Sequence, residues 1–217
     1  MLDRIFNADN VVFRFFGTIG YIWWLHILWL ICSIPIITIG ASTTALCYSC
    51  MKLRRQEGYV TQNFFKSFKE NFKQSTILFL LFLIVGVVLA ADIVFSNQMG
   101  TELGRMLKMC AVIILVPYCI TLLYVFAVQA RFVNSVVRCI QYSFVLGSKY
   151  FIYTIQMAIL VGLVIYLNTT IILVNFITLS IGIGLLAYFM SAYYNRIFDK
   201  YMPKIEEPAK YQIEEEN

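Results

Sequence analysis

Charged residues divide the chain into long apolar stretches. None occurs between Arg14 and Lys52, between Lys73 and Asp92, between Lys108 and Arg131, or between Lys149 and Arg196. A helix needs about 20 apolar residues to cross a bilayer. The second and third stretches each predict one crossing, over Ser75–Phe95 and Lys108–Gln129. The fourth is about twice the length of one crossing and carries Asn168, Thr169 and Thr170 near its middle. It predicts two helices, Phe151–Leu167 and Ile171–Tyr194, joined by a tight outer turn.

The first stretch holds 37 residues. As one helix it would run about 55 Å, far too long for a single crossing. Pro35 and Gly40 interrupt it, because proline cannot continue a helix cleanly and glycine weakens one. Ser33, Thr38, Ser42, Thr43 and Thr44 supply hydroxyls that can satisfy broken backbone at membrane depth. The pattern predicts a span over Phe16–Ile34, a structural turn built on Pro35, Thr38 and Gly40, and a short helix over Ala41–Leu53 that returns to the starting side. The rival reading ends the membrane segment at Gly40, which leaves five spans and an N-terminus outside. With both termini inside, 15 of the Lys and Arg residues lie inside and 2 outside; the five-span reading gives 13 and 4. Both follow the tendency of basic residues to stay in the cytoplasm, and the returning helix follows it better.

Two segments carry a helical amphipathic pattern. In Thr61–Ser75, Phe64, Phe65, Phe68 and Phe72 fall within a sector of about 100°, with Lys66, Lys69 and Lys73 opposite. This predicts a helix lying on the inner membrane surface, its Phe face in the acyl boundary and its lysines on anionic lipid headgroups. Each lysine there contributes on the order of 1 kcal/mol. A weaker stripe of Phe132, Val136, Ile140 and Phe144 marks Arg131–Leu146.

Composition sharpens the class. Hydrophobic residues make up 60% of the 217 and charged residues 13%, against about 25% charged in a soluble domain. The fold class expected is therefore all-α: a polytopic membrane helix bundle of five full spans plus the short returning helix, with basic amphipathic helices at the interface. Residues 1–202 form a single integral membrane domain, and 203–217 a polar cytoplasmic tail. The net charge of +5 points to topology and anionic lipid, not to nucleic acid. Six cysteines lie in or beside apolar runs and read as small embedded residues. The first apolar run is too long for the core of a cleavable signal peptide. The expected location is the cell membrane, in multi-pass form.

The segment SIPIITIGASTTAL, then EGYV, then FFKSFKENFKQS resembles the YesL-like family of bacterial integral membrane proteins, a domain-of-unknown-function family. The resemblance covers most of the chain and is strongest over Leu30–Ser75. Members are often encoded beside carbohydrate uptake transporters and sensor systems, so the resemblance implies a carbohydrate transporter complex as partner. It carries over no catalytic or ligand residue.

Few residues offer chemistry. His26 is the only histidine and lies about 18 Å of helix beyond Arg14, near the bilayer middle. An ionisable group at that depth is a candidate polar site by default; the plainer reading is a neutral imidazole bonded to a neighbouring helix. Asp92 lies about 28 Å beyond Lys73, at the outer interface, with Arg105 or Lys108 as its expected partner. Cys47 and Cys50 have redox-motif spacing without the soluble βαβ setting that chemistry needs. Ala158/Gly162, Ser180/Gly184 and Ala187/Ser191 are small-residue pairs four apart, suited to close helix approach within the chain or in a homo-oligomer. No phosphate loop, nucleophile–base pair or metal-ligand cluster is legible, so neither an enzyme nor a bound cofactor or metal is expected. The function expected is that of a non-catalytic accessory or regulatory membrane protein. The alternative is a small transporter or channel whose site includes the broken Pro35–Gly40 segment.

Overall fold

The computed structural model describes residues 11–132 and 134–201. Arg4 and the tail 203–217 lie outside them. The described chain is a bundle of helices: α1 (Val11–Cys32), α2 (Ile39–Arg54), α3 (Val60–Met99), α4 (Glu102–Arg131), α5 (Val136–Lys149), α6 (Phe151–Thr170), α7 (Ile172–Ile177) and α8 (Ile183–Phe198). Among the described residues six segments are long and apolar enough to cross a membrane: Phe15–Cys32, Ile36–Arg54, Val60–Met99, Glu102–Arg131, Phe151–Thr170 and Ile172–Phe198. The protein is thus an all-α, multi-pass membrane bundle.

The interrupted first stretch folds as a helical hairpin. A single 3-10 turn, Ile36–Thr38, joins α1 to α2. Trp29 Nε1 donates to Thr43 Oγ1 across the hairpin at 3.2 Å, and Leu25 and Leu28 pack with Ala45 and Leu46. The returning helix is the centre of the bundle. Its residues from Gly40 to Cys50 are mostly buried, with α1, α3, α4 and α8 around it. A polar exit beginning at Gly40 would not be enclosed in this way.

Around α2, interhelical polar contacts set the order. Thr44 and Ser75 hydroxyls meet at 2.8 Å, Asn195 Nδ2 donates to Met51 O at 3.1 Å, and Tyr194 Oη donates to Leu123 O at 2.6 Å. The outer hairpin of α3 and α4 turns at Gly100, whose φ of 60° ends α3 in the left-handed region that glycine adopts without strain. Thr101 then caps α4 by accepting from Gly104 N.

Two expectations need correction. The amphipathic segment 61–75 and the following span are one helix. The 40 residues of α3 run about 60 Å, twice the hydrocarbon thickness. Nothing between Lys69 and Thr76 breaks a helix: there is no Gly or Pro. Half of the Phe face of this segment is also turned into protein. Phe64 is fully buried among Leu25, Leu28, Leu46 and Cys50, with Phe68 packed on the same cluster, while Phe65 and Phe72 stay exposed. In the second amphipathic segment, Phe132, Val136 and Ile140 likewise pack against the core, and only Phe144 of that stripe is exposed.

The α1–α2 hairpin covers only the first half of α3. Gly40, near its tip, lies against Ser75, and Trp24 reaches Thr61 at 3.0 Å. Beyond Ser75, α3 pairs with α4, as in the bond from Tyr118 Oη to Phe82 O at 3.0 Å. For both the hairpin and the apolar half of α3 to lie in hydrocarbon, α3 must lean far from the membrane normal, beyond the average tilt of about 20°.

Candidate functional site

His26 lies buried on the inner face of α1. Its Nε2 is 2.8 Å from Leu179 O, and Gly184 N donates to its Nδ1 at 3.3 Å. A carbonyl partner requires a proton on Nε2, and an amide partner requires a lone pair on Nδ1. The ring is therefore the neutral Nε2–H tautomer. The two backbone groups are five residues apart; Leu179 lies within a π-helical turn, Thr178–Gly182, between α7 and α8, and Gly184 lies two residues past it. The imidazole bridges a carbonyl within that irregularity and an amide just past it. Trp29 stacks beside it, with ring centroids 6.2 Å apart. Gly184 makes room: a Cβ there would sit 2.8 Å from Ile22 O and 3.0 Å from His26 Cβ. Both ring nitrogens are thus occupied by backbone, which suits holding a helix break more than transferring a proton. Sequence reasoning placed His26 at depth but missed its partners; the small residues of Ser180–Gly184 were the one available signal.

The turn residues lie close together. Pro35 precedes the 3-10 turn in extended conformation. Thr38 Oγ1 is 2.5 Å from Cys32 O and 2.6 Å from Pro35 O, so it satisfies carbonyls freed where α1 ends. Ser42, Thr43 and Thr44 donate to the carbonyls of Thr38, Ile39 and Gly40. Gly40 falls inside α2 and approaches α3 closely; its conformation is ordinary helix. Thr38→Val should lower the stability of the purified protein by about 1 kcal/mol, with Thr38→Ser close to wild type. Thermal melts in detergent check this, and equal melting of the Val and Ser variants would remove the hydroxyl from the account.

Lys66, Lys69 and Lys73 are exposed on the side of α3 away from the buried Phe64, Ser67 and Ser75. At the same end of the bundle a set of ion pairs ties helix ends together. Lys52 Nζ meets Glu57 Oε2 at 2.8 Å, and Arg55 pairs with Asp199 just beyond α8. Arg54 donates to Tyr188 O at 2.9 Å and covers the Tyr188 ring. Burial pushes the Glu57 carboxyl up, but the Lys52 hydrogen bond and the charges of Lys52, Arg55 and Arg131 outweigh it and hold the group below its ordinary range.

The remaining candidates have local partners. Asp92 accepts from Ser96 at 3.4 Å; Lys108 turns to Asn97 and Arg105 to Glu102. Cys47 and Cys50 are free thiols on the buried face of α2. Among the described residues no group of three His, Cys, Asp or Glu side chains is placed to hold a metal. Asn168 Nδ2 donates to Val164 O and Thr178 Oγ1, which closes the α6–α7 turn.

Compared with known proteins, residues 22–93 match the family described as "Protein of unknown function, DUF624". The matched segment runs from the second half of α1 through the hairpin and most of α3, so this part of the chain is similar to a domain-of-unknown-function family. No curated protein and no solved structure matches the chain.

Proposed function

We propose that the protein is a non-catalytic accessory or regulatory protein of the cell membrane, of YesL-like type, working beside a carbohydrate uptake system. The observation that carries this reading is the surface of α3. Lys66, Lys69 and Lys73 are exposed there, while the hydroxyls of Ser42, Thr43 and Thr44 and the His26 ring are spent on the protein's own backbone. The lysine face is left for anionic lipid headgroups and a partner's inner surface. A second copy would pack on α6, where Gly162 has open space around it.

A photo-cross-linking residue at Lys69, used in native membranes, should capture subunits of a sugar transporter. Changing Lys66 and Lys73 to glutamate in the same chain should abolish the capture while the protein still reaches the membrane. Capture of the same subunits by the charge-reversed chain would sink this reading.

The second reading is a small transporter or channel. The break at Thr178–Gly182 beside His26 favours it, since discontinuous helices often form substrate sites. Solute flux through vesicles holding the purified protein alone, lost in His26→Leu, would establish it.

A further inference from the structure

At the basic end of the bundle a groove of about 490 Å³ opens between α5 and the ends of α4 and α8. That volume is within the range of small-ligand sites. Phe132, Val145 and Leu146 form apolar walls, and Asn134, Lys149 and Tyr201 supply hydrogen-bond donors; no lining residue is acidic. Lys149 Nζ lies 5.2 Å from the Tyr201 ring, and Lys200 Nζ lies 5.1 Å from the neighbouring Tyr150 ring. The two phenol oxygens are 3.3 Å apart. Asp199, the nearest described acid along the chain, is turned to Arg55, and among the described residues neither lysine is in an ion pair. Among the described residues the positive charge of the rim is therefore uncompensated. The Tyr201 phenol responds to it: hydrogen bonds with Lys149 and Tyr150, together with both lysine charges, hold it below its ordinary value.

α5 also shows which phase the groove faces. Its inner side docks on α4 through Cys139 and Gly147. Its outer side leaves Val137 64% and Val145 55% exposed, next to Arg138 and Lys149. Apolar side chains interleaved with basic ones are what an element at headgroup depth presents. Acyl chains suit the first set, and headgroups suit the second.

We infer that this groove binds one anionic phospholipid, with the acyl-chain region against Phe132, Val145 and Leu146 and the phosphate held by Lys149 and the Tyr201 hydroxyl. A single lysine at headgroup depth favours an anionic over a zwitterionic lipid by about fivefold. This site is separate from the lysine face of α3.

The test uses the full chain with a photoreactive residue in place of Val145, reconstituted in vesicles of equal phosphatidylglycerol and phosphatidylcholine. Adducts are identified by mass spectrometry after illumination. Phosphatidylglycerol adducts should exceed phosphatidylcholine adducts by about fivefold. Lys149→Gln should bring the ratio near one, Lys149→Arg should keep the enrichment, and Lys69→Gln should leave it unchanged. Adducts at the vesicle ratio, or an enrichment that survives Lys149→Gln, would overturn the proposal. So would cross-links to residues 203–217 or to a second copy, which would give the groove a different occupant. Loss of lipid adducts on adding inorganic phosphate would assign it to a free anion.

Discussion

Gly40→Val is expected to destabilise the protein by about 3 kcal/mol or more, the largest effect of any single substitution considered. A Cβ on Gly40 would sit 2.3 Å from Ser75 O and 2.6 Å from Phe79 Cβ. The first of these is backbone in the middle of a 40-residue helix, so it cannot rotate away. α2 would have to move off α3, and the Thr44–Ser75 hydrogen bond would stretch with it. Gly40→Ala should already cost about 1–2 kcal/mol, because the same Cβ clash exceeds the roughly 1 kcal/mol that alanine gains in helix propensity. Gly20→Ala, in α1, is the matched control. It also lies within a helix, but nothing lies within 4 Å of its added carbon, so it should be neutral or slightly stabilising. Thermal unfolding of detergent-purified variants reads all three. A Gly40→Val protein that melts with wild type would mean that α2 and α3 do not touch at Ser75, and the hairpin would have to be placed elsewhere.

The second large effect belongs to His26. His26→Leu keeps the bulk beside Trp29 and removes both hydrogen bonds. Leu179 O and the Gly184 amide then lose their partners in an apolar interior, at a cost of about 2 kcal/mol or more. Two compensations limit the loss. The freed carbonyl and amide are five residues apart and can close on each other in a π turn, or α7 and α8 can rewind into one regular helix. His26→Gln separates the role of the hydrogen bonds from that of ring shape, because an amide can donate to Leu179 O and accept from Gly184 N. The glutamine variant should recover much of the lost melting temperature. Faster hydrogen exchange at the Gly184 amide should accompany His26→Leu. Unchanged exchange at Gly184 in a leucine variant of wild-type stability would show that the imidazole does not hold the break.

The membrane segments were legible because bilayer hydrocarbon excludes charge. Gaps between charged residues therefore located the crossings, and Pro35 located the bend in the first gap. The hydroxyls of Thr38, Ser42, Thr43 and Thr44 were readable as backbone partners, since a broken helix end in lipid has few other donors; the Ser33 hydroxyl, read the same way, has no hydrogen-bond partner among the described residues. The amphipathic pattern of 61–75 was readable too, but not what covers it. Lipid chains and protein side chains are equally apolar, so the spacing of Phe64 and Phe68 is the same whether they face acyl chains or Leu25 and Leu46. Tertiary packing decided for protein. It also decided that α3 runs unbroken, that Gly40 meets Ser75, and that His26 enters the π turn between α7 and α8. Each of these depends on which helix lies opposite, a relation between residues as far apart as 26 and 184, and no local period in the chain carries it.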